Sequence, residues 1–323
     1  MPLDPQAKAL FDFLGLTQMA PLETLTPQEA RAGFEALAEA RRQMTPEPVD
    51  QVRDLKIPGP AGEIPIRVYS PKAQSPSPAL IYFHGGGWVL GDLESHDHVC
   101  RAVANSASCV VLSVDYRLAP EHKFPAAVYD SYAATKWIAD HAGELGVDAS
   151  RIAVGGDSAG GNLAAVVSQI ARDRGDPHII HQLLIYPATD MRMGMPSIDE
   201  NADGPLLTKA AMHWFVNHYL NSEADRTDPL ASPLLAANLR GLPPAFIITA
   251  ECDPIRDEGE AYGLRLEDAR VPVDVQRYDG MPHGFFSFGA ALDSGRRAFA
   301  DATSRLRSAF GLEEVSRSAD SAA

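Results

Sequence analysis

The sequence predicts an α/β fold in which a mainly parallel central sheet is flanked by helices on both sides. Short runs rich in Val, Ile and Leu alternate with helical segments from about residue 66 onward, a pattern typical of parallel strands buried on both faces. Two glycine-rich motifs directly follow two of these runs. A long segment without a predicted strand, between Tyr186 and Ala245, interrupts the alternation and indicates an inserted cap.

The first 45 residues are predicted to be helical. Asp4-Pro5 and Thr26-Pro27 each place a capping side chain before a proline at the first helical position, and Glu29 completes a capping box with Thr26. The predicted strands are Ile66–Tyr69, Ala79–Phe83, Cys109–Val114, Arg151–Val154, Gln182–Tyr186, Ala245–Ala250 and Val273–Tyr278, and the clearest later helices are Ala126–His141, Gly160–Arg172 and Thr208–Leu220.

Composition excludes several functional classes. The 323 residues carry 28 Lys and Arg against 43 Asp and Glu, a net charge of −15, and lack a basic cluster, which argues against nucleic acid as a partner. With 45% apolar residues the chain can bury a large core. We expect no membrane span and no secretory signal. Three irregularly spaced cysteines predict neither a disulfide framework nor a metal site, so a reducing cytoplasm fits best.

The segment Gly156–Gly160 has the spacing of a nucleophile elbow. Glycines two residues on either side of Ser158 let the backbone turn sharply from the run Ile152–Val154 into the following helix. Such a turn exposes the serine hydroxyl beside the free N–H groups of a helix N-terminus. A plain helix N-cap is the alternative role of Ser158.

The segment His84–Trp88 indicates an oxyanion hole. Gly85, Gly86 and Gly87 follow the buried run Ala79–Phe83 and allow backbone N–H groups to approach a ligand atom closely. His84 is expected to hydrogen-bond the neighbouring loop backbone and to support those N–H groups rather than to act as a second base.

A serine nucleophile needs a base and an acid that orients the base. His283 is the predicted base, because it lies beyond Ser158, after the final strand and in a glycine-bounded loop. Asp253, just past the strand Ala245–Ala250, is the predicted acid. Glu251 is the alternative acid, and Asp257 is interpreted as a helix cap.

Two other charged segments are interpreted as structural. His96 and His98 resemble a pair of metal ligands, but no third ligand has a suitable spacing, so surface or helix-start positions are expected and no metal is predicted. The segment Asp115–Glu121 is interpreted as a buried ion-pair corner that forms the floor of a cleft.

Five segments of the chain together resemble those of the hormone-sensitive-lipase-like carboxylesterases, which have the α/β-hydrolase fold. The segments are His84–Trp88, Asp115–Glu121, Gly156–Gly161, Asp253–Glu258 and His283-Gly284-Phe285. The resemblance covers about residues 45–310. It implies that Ser158, His283 and Asp253 form a catalytic triad and that Gly86, Gly87 and Ala159 supply oxyanion N–H groups. It also implies that no cofactor is required and, as is frequent in this family, a homodimer.

The resemblance also implies a cap above the active site. The predicted division is 1–45 for the N-terminal cap helices, 46–190 and 226–312 for the hydrolase core, 191–225 for the cap insertion and 313–323 for a flexible tail. An apolar stripe on Thr208–Leu220 serves either core packing or the wall of a substrate cleft. The candidates for that wall are Trp88, Leu206, Met212 and Phe215.

The expected activity is hydrolysis of small-molecule esters with short to medium acyl chains, through an acyl-enzyme. Hydrolysis of a lactone, amide or carbamate, or acyl transfer to an alcohol, could use the same three side chains and stays open at the level of sequence. A non-catalytic small-molecule receptor of the same fold is disfavoured because His283 is present.

Overall fold

The computed structural model describes residues 2–15, 20–42, 46–72 and 75–312, so the predicted tail 313–323 lies outside the described residues. The α/β prediction is confirmed by a sheet of eight strands in the order β1-β2-β4-β3-β5-β6-β7-β8. The strands are β1 Gln51–Gly59, β2 Gly62–Ser70, β3 Ser77–Phe83, β4 Val110–Val114, β5 Val147–Asp157, β6 His181–Ile185, β7 Ala245–Cys252 and β8 Val273–Pro282.

Helices cover both faces of this sheet, as predicted. Alternate residues of β3 point to opposite sides, so Ile81 and Phe83 pack in one apolar core while Leu80 and Tyr82 pack in the other. The helices are α1 Pro5–Phe13, α2 Pro27–Arg42, α3 Asp97–Ala107, α4 Ala126–Asp140, α5 Ala142–Leu145, α6 Ala159–Arg174, α7 Pro196–Glu200, α8 Lys209–Tyr219, α9 Arg256–Asp268 and α10 Asp293–Ala309.

The predicted helix starts are confirmed by hydrogen bonds. The Asp4 carboxylate accepts from two N–H groups of the first turn of α1. At the start of α2, the Thr26 N–H donates to the Glu29 carboxylate (2.9 Å) and the Glu29 N–H donates to Thr26 Oγ1 (3.3 Å), which is the complete capping box. Thr208 caps α8 by accepting from the Ala211 N–H (2.9 Å).

Strand direction brings distant parts of the chain to one edge of the sheet. β3 to β8 pair in parallel with their neighbours, while β1 with β2 and β2 with β4 are antiparallel. Phe83, the last residue of β3, pairs in register with Gly156, and Cys252 of β7 pairs with Pro282 of β8. The residues that follow β3, β5, β7 and β8 therefore meet at the carboxyl edge, where α/β sheets bind ligands.

Within the described residues, the segment from Tyr186 to Ala245 contains no strand, as predicted, and holds the short helix α7 and the longer α8. Helix α8 contacts the N-terminal region, because the Trp214 indole N–H donates to the Leu25 carbonyl (3.0 Å). In α2, the Arg31 guanidinium donates to the carbonyl oxygens of Val89 and Ala119 (2.9 and 2.8 Å). None of the helices described here combines the length and apolar composition needed to cross a bilayer.

Candidate active site

Ser158 lies in a sharp turn between β5 and α6. Its backbone has φ 57° and ψ −116°, a conformation that L-residues rarely adopt and that is typical of a strained functional turn. The turn packs directly on the end of β3, since a Cβ atom at Gly156 or Gly160 would overlap the Phe83 carbonyl oxygen. Glycine is therefore required at both positions by the close approach of two backbones.

The side chains of Ser158, His283 and Asp253 form one continuous hydrogen-bonded chain. His283 Nε2 lies 2.9 Å from Ser158 Oγ, and His283 Nδ1 lies 2.7 Å from Asp253 Oδ2. Asp253 is fully buried, and its other carboxylate oxygen accepts from the Ile255 N–H (2.9 Å). The structure thus brings together the three side chains that the sequence selected, although they are up to 125 residues apart.

The two alternative acidic residues have other partners. Glu251 Oε2 accepts from the Gly280 N–H (2.7 Å) and so ties the end of β7 to β8. The interpretation of Asp257 as a helix cap is wrong, because α9 begins at Arg256 with Ile255 as its N-cap. The Asp257 carboxylate accepts instead from the Ser197 N–H (2.8 Å), a contact that sequence alone does not indicate.

The glycines after β3 form a tight loop beside the elbow. Gly86 and Gly87 have φ values of 115° and 60°, and the Leu90 N–H donates to the Gly86 carbonyl (2.8 Å). Ala159 is the first residue of α6, where the N–H groups have no partner within the helix. The three candidate oxyanion residues thus lie on the two segments that flank Ser158.

His84 is fully buried behind this loop. Its ring stacks on Tyr116 with centroids 4.3 Å apart, and its Nδ1 lies 2.8 Å from the Gly85 carbonyl oxygen. Burial, reinforced by the neighbouring His96, lowers the pKa of His84 to about 4. A neutral imidazole enclosed in this way fits the predicted support of the loop backbone.

The four candidates for the substrate cleft differ in position. Phe215 of α8 lies against the glycine loop, since a Cβ atom at Gly87 would overlap its ring. Leu206 lies beside Gly284, next to the His283 loop. Trp88 stacks on Tyr219 with centroids 4.2 Å apart and is buried, and Met212 is also buried. Of the four candidates, Phe215 therefore contacts the oxyanion loop and Leu206 contacts the loop that carries His283.

Comparison with known proteins identifies the family of this chain. Residues 80–287 match the sequence profile of a family described as having the α/β-hydrolase fold. The carboxylic ester hydrolase LipN of Mycobacterium tuberculosis is 49% identical over 264 residues, covering 80% of this chain and 70% of LipN. This chain belongs to the α/β-hydrolase family. The hydrolase is also 42% identical to the carboxylesterase NlhH of M. tuberculosis over 314 residues, which covers 94% of this chain and 93% of NlhH.

A solved structure leads to the same family. A hyperthermophilic esterase from the archaeon Pyrobaculum calidifontis superimposes on the hydrolase with a TM-score of 0.91 at 46% identity, covering 95% of this chain and 99% of that one. The resemblance to the hormone-sensitive-lipase-like carboxylesterases is thereby confirmed, and membership supports carboxylic ester hydrolysis as the activity.

The two histidines that resemble metal ligands are used differently by the hydrolase. The expectation of a surface or helix-start position is confirmed for His96, which is the N-cap residue of α3; it is buried there, with its Nε2 3.3 Å from the Asp157 carboxylate. His98 Nε2 lies 3.1 Å from the Ser287 carbonyl oxygen. Among the residues that the structure describes, no group of three or more His, Cys, Asp or Glu side chains is placed to hold a metal ion.

The segment Asp115–Glu121 forms its ion pairs with other elements. Arg117 makes a paired contact with the buried Asp130 of α4 (2.7 and 2.8 Å), and the half-exposed Glu121 pairs with Arg31 (2.7 Å). The predicted ion pairs are therefore present, but the expectation that they are buried is wrong, because only Asp130 of the four charged side chains is buried. Asp115 borders a cavity of about 440 Å³ whose lining residues do not include the Ser158–His283–Asp253 chain.

Asp115 is expected to destabilise the folded hydrolase near neutral pH. Burial raises the pKa of Asp115 from 3.8 to about 6, and electrostatic repulsion from Asp92 contributes to this rise. A raised carboxyl pKa means that stability falls as the pH rises from about 4 to about 6. At about 1.36 kcal/mol per pKa unit, Asp115→Asn should increase the free energy of unfolding by up to about 3 kcal/mol at pH 8. Urea unfolding at pH 8 and pH 4 measures this, and an equal effect at both pH values contradicts it.

Proposed function

We propose that this hydrolase is a serine carboxylesterase that cleaves esters of short to medium acyl chains through an acyl-enzyme. The observation that carries the proposal is the unbroken chain from Ser158 Oγ through His283 to Asp253, with distances of 2.9 and 2.7 Å. A serine hydroxyl becomes an effective nucleophile when an oriented imidazole can accept its proton.

The reaction proceeds in two halves. Ser158 Oγ attacks the ester carbonyl carbon while its proton passes to His283 Nε2, and the oxyanion accepts hydrogen bonds from the Gly86, Gly87 and Ala159 N–H groups. The tetrahedral intermediate then collapses, and His283 returns the proton to the leaving alkoxide, which departs as the alcohol. A water molecule then gives a proton to His283 Nε2 as it attacks the acyl-enzyme carbonyl. The second tetrahedral intermediate collapses with cleavage of the bond between the acyl carbon and Ser158 Oγ, His283 returns the proton to Oγ, and the carboxylic acid leaves.

Asp253 determines which nitrogen of His283 carries the proton. Its buried carboxylate accepts from Nδ1–H, so Nε2 is left with a free lone pair toward Ser158. The imidazolium that forms during the attack is stabilised by the same carboxylate. These groups complete the reaction with water as the only further reactant.

The cap sets the acyl-chain preference. The N-terminal helices and the segment 191–225 are proposed to form it, in keeping with the hydrogen bond between Trp214 and Leu25. Phe215 lies over Gly87 on the oxyanion side and Leu206 lies beside Gly284 on the base side. An acyl chain that extends between them meets the Phe215 ring, which supports a bounded cleft.

Phe215→Ala is expected to shift the preference toward longer acyl chains. Room for two more methylene groups is worth about 1.6 kcal/mol, so the ratio of kcat/KM for p-nitrophenyl octanoate to that for the butyrate should rise about tenfold. A panel from acetate to palmitate measures this ratio. The wild type should favour short to medium chains, and a preference for palmitate would contradict the proposed substrate class.

The matched control is Val216→Ala. Val216 is the next residue of α8 and is 1% exposed, so its truncation loosens the packing of the same helix without opening the space above Gly87. Its ratio should equal that of the wild type. If both variants shift the ratio equally, the effect comes from loss of helix packing, and Phe215 does not limit the acyl chain.

A further inference from the structure

Asp157, the residue before Ser158, is a buried carboxylate that the proposed reaction does not use. It is 6% exposed and ends β5. Its Oδ1 accepts from the Tyr82 hydroxyl (2.7 Å) and from the Gly85 N–H (3.1 Å). Since His96 Nε2 lies 3.3 Å away, the carboxylate contacts two separate segments of the chain, the end of β3 with its following loop and the start of α3.

These contacts connect the nucleophile turn to the first glycine of the oxyanion loop. The two are in direct contact, because a Cβ atom at Gly85 would overlap Asp157 Oδ2. The Gly85 N–H also lies 3.4 Å from His96 Nε2. Gly85 precedes the two glycines whose N–H groups face the oxyanion in the proposed mechanism, so a displacement of Gly85 moves both of them.

The same network holds the other end of the loop. His96 Nδ1 lies 2.9 Å from Ser95 Oγ, which accepts from the Asp92 N–H (3.0 Å). The Ser95 N–H in turn donates to Asp92 Oδ1 (2.8 Å). The loop 84–92 is thus fixed at Gly85 by Asp157 and at Asp92 by Ser95, and His96 lies between these two, with one ring nitrogen near each.

We propose that Asp157 and His96 are positioning residues that hold the Gly86 and Gly87 N–H groups in place for the oxyanion. This inference rests on the proposed function and adds to it a second buried carboxylate–imidazole pair, which acts on the oxyanion loop rather than on the nucleophile. Binding of the intact ester does not depend on this pair, whereas stabilisation of the oxyanion in the transition state does.

The charge state of Asp157 suits this role. Burial alone would raise the pKa of Asp157, but the pairing with His96, followed by the hydrogen bond from Tyr82, outweighs it and lowers the pKa to about 2. The carboxylate is therefore ionised over the whole working range, and hydrogen bonds to an ionised acceptor are shorter and stronger than those to a neutral one. Removing it also leaves the Tyr82 hydroxyl and the Gly85 N–H without this acceptor.

The main test compares Asp157→Ala with the wild type. Because a misplacement of about 1 Å can cost about a hundredfold in rate, we expect kcat to fall about a hundredfold while KM for p-nitrophenyl butyrate stays within about threefold. Affinity for a trifluoromethyl ketone, which forms a tetrahedral adduct, should fall in parallel with kcat/KM. Asp157→Asn keeps an oxygen acceptor for Gly85 and should restore kcat to within about fivefold of the wild type.

Asp148→Ala is the matched control. Asp148 lies near the opposite end of the same strand β5, and hydrogen bonds from Ser150 and Arg151 lower its pKa to about 2 as well. Its loss removes a strongly bonded carboxylate without touching the oxyanion loop, so kcat should stay at the wild-type value. A loss of kcat in Asp157→Ala no larger than in Asp148→Ala overturns the inference.

Two further measurements keep the inference testable. If Asp157→Ala does not fold, His96→Ala takes its place, with an expected fall in kcat of about tenfold; a value within twofold of the wild type overturns the proposal. Amide hydrogen exchange of residues 84–92 should accelerate in either variant and not in Asp148→Ala. An inactive wild type would refute the proposed function, whereas unchanged exchange would refute the positioning role alone.

Discussion

Ser158→Ala is expected to abolish the burst of p-nitrophenol and to lower kcat by at least about 10⁴-fold, because loss of the nucleophile removes the acyl-enzyme route. Stoichiometric labelling by a fluorophosphonate should be lost as well. Circular dichroism and thermal unfolding should stay close to those of the wild type, since the hydroxyl is bonded to His283 and not to the core. Activity within about tenfold of the wild type would refute the assignment.

Two serine variants control this result. Ser168→Ala removes a buried hydroxyl from α6 that donates to the Ala164 carbonyl (2.8 Å), so it should leave turnover and labelling unchanged. Ser158→Gly lacks the nucleophile but accommodates the positive φ of 57° without strain. It should be as inactive as Ser158→Ala and more stable by about 1 kcal/mol. Equal stability of the two inactive variants would mean that the turn is not strained.

The parts of the fold that the sequence predicted are those with strong local signals. Every residue of β3 is buried, and its run of apolar residues therefore shows directly in the sequence. Strand β1 was missed because most of its side chains are exposed, including Gln51 and Arg53, and it pairs only with β2 at the edge of the sheet. An edge strand of this kind lacks an apolar pattern, and tertiary pairing decides its conformation.

The residues of the candidate site likewise fall into those with a local sequence signal and those without one. Ser158 and the glycines after β3 belong to short motifs, and His283 and Asp253 follow strands whose carboxyl ends meet at one edge, so chain order was enough to select them. The pairing of Asp157 with His96 joins residues 61 positions apart. Asp157 lies within the Gly156–Gly160 motif, but the motif does not indicate its partner, and His96 has no distinctive local pattern. The sequence allowed a surface or a helix-start position for His96, and it does lie at a helix start, but nothing in the sequence indicates that the side chain is buried. Only the packing of α3 on the sheet reveals its burial.

Asp253→Asn is expected to lower kcat about 10⁴-fold while leaving KM nearly unchanged. The Ile255 N–H donates to one side-chain oxygen of Asp253, so an asparagine there should keep its oxygen toward Ile255. Its NH₂ group then faces His283 Nδ1 and favours the tautomer that carries the proton on Nε2. That nitrogen can no longer accept the proton of Ser158, and both acylation and deacylation slow. Stopped-flow measurement of the burst and the steady state detects the two effects.

Glu251→Gln is the matched control, because Glu251 is the other acid that the sequence offered at this strand end. Its carboxylate accepts from the Gly280 N–H (2.7 Å), and a glutamine oxygen can accept the same bond, so kcat should stay within about threefold. If Glu251→Gln loses activity as severely as Asp253→Asn, the proton of His283 is not controlled by Asp253 alone. If Asp253→Asn stays within about tenfold of the wild type, the carboxylate does not select the tautomer, and the orientation of His283 must depend on its surroundings, where the Tyr186 ring lies 4.6 Å away.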